Sequence, residues 1–190
     1  RMAIMVFTGY MVISIVKKMK LGPNESRIGL VIYSDNARSE FFLKDSNDKT
    51  YLQNIISSLE SRYEGGATNT ASALKEMHYN QFTLDNGDRP GVKNIALLIT
   101  DGVSTIDRQN TIPEAQAAKS ENIQIYVVGI TSGVDEQEIR EISSSPNQLD
   151  KTYWMSTDFN ALEGVVNNVL KETCSAKEWR ANDGRISDSG

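Results

Sequence analysis

The sequence predicts an α/β fold, with a mostly parallel central sheet, one antiparallel edge strand, and helices on both faces. Three observations point there. Ile28-Gly29-Leu30-Val31-Ile32-Tyr33, Ile95-Ala96-Leu97-Leu98-Ile99 and Ile123–Ile130 are near-continuous apolar runs, as expected of strands buried on both faces. Apolar stripes at helical spacing alternate with these runs. Segment 37–43 follows the first run through a turn at Asp35-Asn36, close enough to pair with it antiparallel.

Taken in order, Met11, Val12, Ile15, Val16 and Met19 recur at helical spacing, and Leu21-Gly22-Pro23-Asn24 ends that helix. Tyr51, Leu52, Ile55, Ile56 and Leu59 form a second stripe. Gly65-Gly66 breaks the chain before a helix carrying Ala73, Leu74 and Met77, and 85–91 is a polar loop of turn residues. Thr111-Ile112-Pro113-Glu114 reads as a capping box that opens a helix. Asp135 with Glu138 repeats the pattern, with Val134 and Ile139 placed as a hydrophobic staple. Tyr153-Trp154-Met155 is a short last strand. Phe159, Leu162, Val165, Val166, Val169 and Leu170 mark a final helix. From Ser175 the apolar pattern stops, so 175–190 is expected to be a linker or disordered tail.

Bulk properties narrow the function. A chain of 190 residues with 39% hydrophobic residues fits one domain with a sizeable core. A net charge of −5 argues against nucleic-acid binding and a membrane-surface role. No apolar run is long enough to span a bilayer. The start at Arg1 suggests a fragment of a longer chain. Cys174 is the single cysteine, either a free thiol or half of a disulfide whose partner lies elsewhere. Asn24-Glu25-Ser26 is a glycosylation sequon.

In parallel sheets, ligands bind beyond the carboxyl ends of the strands, so residues just after each strand deserve inspection. Two places stand out. Gly65-Gly66-Ala67-Thr68-Asn69-Thr70 combines a flexible turn with small hydroxylated residues at the mouth of a helix. Ile99-Thr100-Asp101-Gly102 puts a carboxylate at the end of the most apolar strand. A hydroxyl and a carboxylate from neighbouring loops suit a hard cation such as Mg²⁺, which takes oxygen ligands and keeps several waters. Thr68 or Thr70 could equally cap the helix, and Asp101 could shape a turn.

Together the two segments resemble the von Willebrand factor type A domain. Ile15-Val16-Lys17-Lys18-Met19, leading through Gly22-Pro23 to 27–34, is similar to that family's first helix and second strand. Tyr126-Val127-Val128-Gly129-Ile130 is similar to its fifth strand, and the order agrees from Met11 to Cys174. The resemblance implies a Rossmann-like three-layer sandwich over 1–174. It also implies a metal-ion-dependent adhesion site, with Thr68 as hydroxyl ligand and Asp101 as the carboxylate holding Mg²⁺, or Mn²⁺ or Ca²⁺. A partner's acidic side chain commonly completes such a shell. The implied partners are an extracellular matrix protein such as collagen and neighbouring domains of the parent chain. The implied setting is extracellular, in a secreted or cell-surface protein. The family's terminal cysteine pairing would give Cys174 a partner upstream of Arg1.

One departure is serious. The family's D-x-S-x-S metal motif occurs nowhere in this chain. Counting back from Gly22-Pro23 places it before Arg1, leaving 1–10 as the start of the first helix or as a shortened, divergent first strand. Thr68 and Asp101 alone are expected to hold the ion weakly, since one carboxylate offers little charge compensation. With a middle strand missing, the sheet would expose edges and tend to aggregate. The expected partner face is the rim formed by Thr68, 101–107 and Asp35-Asn36. An enzyme is not expected: His78 is the lone histidine, and no nucleophile elbow, phosphate loop or zinc cluster is present. A metal-independent assembly module and an intracellular scaffold domain are the alternatives.

Overall fold

A computed structural model describes residues 2–6, 9–45, 47–59, 66–130, 132–156, 166–168 and 170–171. The strands are β1 (Met2–Val6), β2 (Ile28–Tyr33), β3 (Ala37–Phe41), β4 (Asn94–Thr100), β5 (Ile123–Ile130) and β6 (Tyr153–Ser156). The helices are α1 (Gly9–Lys18), α2 (Lys49–Leu59), α3 (Thr70–Glu76), α4 (Arg108–Ser120) and α5 (Glu136–Ile142). The α3 axis runs on into a wider π-type turn at Met77–Gln81.

All six strands join one sheet in the order β3-β2-β1-β4-β5-β6. Every pairing is parallel except β2 with β3, which is antiparallel at one edge. Alternation along each strand builds two cores. Leu30, Leu97, Ile99, Tyr126 and Val128 face one side, under Met11, Val12, Ile15 and Val16 of α1 and Leu52 and Ile56 of α2. Val31, Ala96, Leu98, Ile125 and Val127 face the other, under Ala73 and Leu74 of α3, Ala115 and Ala118 of α4, and Ile139 of α5. Two-residue alternation therefore converts uniformly apolar strands into a three-layer sandwich.

Of the two expectations for 1–10, the start of the first helix or a shortened, divergent first strand, residues 2–6 take the second. β1 occupies the centre, with Met2–Val6 running beside Ile28–Ile32 of β2 and Met2–Met5 beside Ile95–Leu98 of β4. Met-Ala-Ile-Met-Val has no Gly, Pro or charge, which is what a strand with neighbours on both sides requires. The aggregation expected from a vacant centre loses its basis, because the sheet's edges are β3 and β6.

Local chemistry sets the helix boundaries. Asp48 opens α2 by accepting from Thr50 N (2.8 Å) and Tyr51 N (3.2 Å). Lys17 and Lys18 close α1 at its negative dipole end. α4 begins at Arg108, a turn earlier than the Thr111-x-x-Glu114 pattern predicts. Thr111 is instead fully buried inside the helix, and Glu114 lies 3.4 Å from Lys75 of α3. The final helix falls largely outside the described residues. Its residues 166–168 and 170–171 are helical, and Val166 and Leu170 are buried against the α1 side of the sheet. Cys174 and the expected tail at 175–190 lie outside the described residues. No helix among the described residues is long and apolar enough to cross a membrane.

One close approach fixes an edge. Gln81, at the end of the π-type turn, is fully buried and donates to Ser39 Oγ (2.9 Å) and Phe41 O (3.0 Å) of β3. A Cβ on Gly29 of β2 would collide with Gln81 Oε1. Glycine at 29 is thus what lets the turn reach the edge strand.

Candidate functional site

β1 pairs with β2 on one side and with β4 on the other, so the chain reverses direction across the sheet there. The carboxyl ends of β1 and β4 form the topological switch point, where an open α/β sheet has a natural crevice. Three loops meet at that end, 34–36 after β2, 66–69 before α3, and 101–107 after β4.

These loops are hydrogen-bonded to one another. Asp35 Oδ1 accepts from Ala67 N at 2.7 Å, and Asp35 O accepts from Asn69 Nδ2 at 2.9 Å. Asn69 N donates to Ser34 O at 2.9 Å. Gly66 has φ +137°, and a Cβ there would come within 2.9 Å of Asp35 Oδ1. Both the left-handed backbone and the close carboxylate therefore demand glycine. Thr68 is then tied to the third loop: Thr68 N donates to Thr105 Oγ1 (2.9 Å), and Thr105 N donates to Thr68 O (2.8 Å).

The cap of α3 is neither threonine. Asn69 holds the N-cap, its side chain accepting from Ser72 N at 2.9 Å. Thr70 is buried in the first turn. Among the described residues, the Thr68 hydroxyl has no hydrogen-bond partner. It lies 3.5 Å from where a Cβ on Gly102 would stand, directly beside the Asp101 segment. The structure thus brings Thr68 and the Asp101 loop together.

Asp101 is half-buried. Burial pushes its carboxyl up from the ordinary carboxylate range, and a backbone hydrogen bond partly offsets this. Beneath it, the buried Tyr33 hydroxyl donates to Ile99 O at 3.1 Å. Burial also raises the Tyr33 phenol, with a lowering contribution from its hydrogen bond to Thr100 and raising ones from the negative charges of Asp101 and Glu138.

Sequence reasoning missed how the Asp101 loop is held. Asp135 does cap α5, accepting from Gln137 N (2.9 Å) and Glu138 N (3.3 Å). Glu138 does not reach back to complete the box. Its Oε1 accepts from Ser104 N (2.9 Å) and Ser104 Oγ (2.7 Å), and its Oε2 lies 3.2 Å from Arg108 Nε. Arg108 Nη2 also reaches Asp135 Oδ2 at 2.9 Å. Glu138 therefore holds the middle of the loop that carries Asp101 through Ser104, and its carboxyl end through Arg108. The only sequence signal for this was the Asp135/Glu138 pattern, whose local reading concealed a contact across space.

The donors fit a divalent ion only in part. Thr68 offers a hydroxyl beside Gly102, and the preceding residue, Asp101, carries a carboxylate. Among the described residues, no group of three or more His, Cys, Asp or Glu could hold a metal. Between β1 and α1, where the resemblance would put D-x-S-x-S, the chain has only Phe7 and Thr8, and neither is a carboxylate. Such a set suits a weakly held, largely hydrated ion and not a closed cage.

Comparison with known proteins agrees with this architecture. The family model for the von Willebrand factor type A domain matches residues 10–168. Collagen alpha-1(XII) chain of Notophthalmus viridescens is 33% identical over 85% of this chain, and Matrilin-2 of Mus musculus is 32% identical over 89%. The chain spans 17% of the length of each of these relatives. The transmembrane cell adhesion receptor mua-3 of Caenorhabditis elegans is 32% identical over 70% of this chain and 4% of that protein. Among solved structures, proximal thread matrix protein 1 from the mussel byssus superposes with a TM-score of 0.81 at 22% identity. The match covers 91% of this chain and 48% of that one. A second structure of that mussel protein has zinc in its MIDAS motif. Manganese-loaded Plasmodium vivax TRAP superposes with a TM-score of 0.72 at 20% identity, over 88% of this chain and 70% of that one. The chain belongs to the von Willebrand factor type A domain family.

Proposed function

We propose that this von Willebrand factor type A domain is a protein-binding adhesion module of an extracellular matrix or cell-surface protein, engaging its partner at the rim around Thr68 and Asp101. The observation that carries the reading is the convergence of three hydrogen-bonded loops on the switch point, where the Thr68 hydroxyl, without a hydrogen-bond partner among the described residues, lies beside the segment that carries the half-buried Asp101. The relatives named above are matrix proteins and an adhesion receptor, which supports a matrix partner such as collagen and an extracellular setting.

Thr68 and Asp101 are the residues that would hold Mg²⁺, Mn²⁺ or Ca²⁺. When bound, such an ion supplies an open coordination position for an acidic side chain of the partner. The loops supply the rest: Asp35 and Asn69 fix the Thr68 segment, while Glu138 and Arg108 fix the Asp101 segment. No catalytic role is proposed. His78 is buried in the π-type turn after α3 with its Nε2 3.2 Å from Glu121 Oε2, and it belongs to no nucleophile–base pair among the described residues.

A metal-independent assembly role is the second reading. It is favoured by the two-residue β1–α1 connection, which brings no carboxylate to the crevice. Binding to immobilised collagens and other matrix proteins tests both. The first reading expects binding that weakens in Asp101→Ala and Thr68→Ala and falls when divalent ions are chelated. Binding indifferent to chelation but lost on rim substitution favours the second. Binding indifferent to every rim substitution contradicts the rim as the partner face.

A further inference from the structure

Asn24-Glu25-Ser26 is the one Asn-x-Ser/Thr triplet in the chain, with Glu and not Pro in the middle. It lies between α1 and β2, at the amino end of the sheet, and the rim chemistry does not use it. The loop is well held: Ser26 N donates to Lys20 O (3.2 Å), Glu25 N to Gly22 O (3.1 Å), and Lys20 pairs with Glu25 at 2.6 Å. Arg89 reaches across from the 85–91 loop. Its Nη1 donates to Pro23 O (2.9 Å) and its Nη2 to Glu25 O (2.7 Å). The carbonyls on either side of Asn24 are thus drawn onto one guanidinium. Asn24 itself is exposed and makes no hydrogen bond among the described residues. Every neighbour in the loop is engaged, while the acceptor amide is presented to solvent.

We propose that Asn24 is an N-glycosylation site, and that its glycan occupies the pole opposite the binding rim. The inference rests on the extracellular reading above, since the modification requires entry into the secretory pathway. The donor is a lipid-pyrophosphate-linked oligosaccharide. Asn24 Nδ2 loses one proton and bonds to the anomeric carbon of the first sugar. That carbon's bond to the pyrophosphate oxygen breaks, and the lipid pyrophosphate leaves with the electron pair. No oxidant or reductant is involved. Placement follows from β2. Asn24 precedes its first residue, Ile28, and Asp35 follows its last, Tyr33. A six-residue strand separates the two loops by about 20 Å. The glycan therefore covers the amino pole and leaves the rim open to a protein partner.

The test expresses the 190-residue chain behind a supplied secretory leader in eukaryotic cells. Product mass is read before and after an amidase that removes N-linked glycans. The expected result is a single mass shift, with Asn24 converted to Asp at the released site. The shift is lost in Asn24→Gln and Ser26→Ala and kept in Ser26→Thr. Chain recovered from the endoplasmic reticulum is read the same way as chain from the medium, because the glycan is added on entry, before folding. Chain in either compartment without a glycan at Asn24 overturns the inference. Because the leader is supplied, that result leaves the rim reading intact. A rim that binds no matrix protein, in a chain carrying the glycan, would overturn the rim reading alone.

Discussion

β1 and β4 lie side by side at the centre of the sheet, parallel and in register, yet they end differently. β4 runs into Thr100-Asp101-Gly102, a half-buried carboxylate on a loop tethered by Glu138 and Arg108. β1 runs into Phe7-Thr8 and then directly into α1. Both strands meet the same scaffold requirement, since an apolar run without breakers suffices for a central parallel strand. Only one is followed directly by a carboxylate residue. The fold and the proposed ligation are therefore separable: hydrophobic patterning holds the sandwich, while the proposed ion binding would rest on a few loop positions.

The largest effect is expected from breaking β1 itself. Ile4 pairs with Leu30 on one side and Leu97 on the other. Ile4→Pro removes a ladder donor in a strand with two neighbours, and should abolish the cooperative unfolding transition seen by circular dichroism. An unchanged transition would mean that β1 is dispensable. Next comes β4: Leu97 is fully buried, so Leu97→Ala should lower stability by about 2–5 kcal/mol in denaturant titrations. The tether of the Asp101 loop is expected to contribute less. Glu138→Ala leaves the buried Ser104 N–H without its acceptor and should cost about 1–3 kcal/mol. Glu138→Gln, which keeps an acceptor oxygen, should cost less than the alanine variant, and equal losses would argue that the ion pair with Arg108 dominates.

The smallest effect concerns Asp101. Its folded pKa is raised above the unfolded value by burial. Below the unfolded pKa both states are protonated and nothing is lost. As pH rises through the carboxylate range, the unfolded state ionises first and the folded state loses relative stability. Asp101→Asn should therefore match wild type in strong acid and be slightly more stable at neutral pH without divalent ions. Thermal melts at both pH values check this, and a less stable Asn variant at neutral pH would contradict it.

Much of this was legible before any coordinates. Strands β2, β4 and β5 were readable because burial on both faces leaves a continuous apolar run. The loop positions of Thr68 and Asp101 were readable because each follows a clear break or strand end. β1 was legible only as one of two alternatives, because it is short and because counting back allowed for a longer junction than the two residues found here. The start of α4 was misplaced because Thr111-x-x-Glu114 imitates a cap while Thr111 is packed inside the helix. The roles of Glu138, Gln81 and Asn69 depend on contacts across space, or on which of several neighbouring hydroxyls and amides wins a cap, and local pattern cannot rank these.

The most direct test of the separation between fold and ligation is calorimetric titration of Mg²⁺ into the folded chain, beside Asp101→Ala. The account predicts a dissociation constant on the order of 10⁻³ M or weaker, as for hard-cation sites with few charged ligands, with the heat abolished in Asp101→Ala and the fold of both proteins unchanged. Micromolar binding that survives Asp101→Ala would contradict it, because the ion would then be held by ligands other than those at the β4 end.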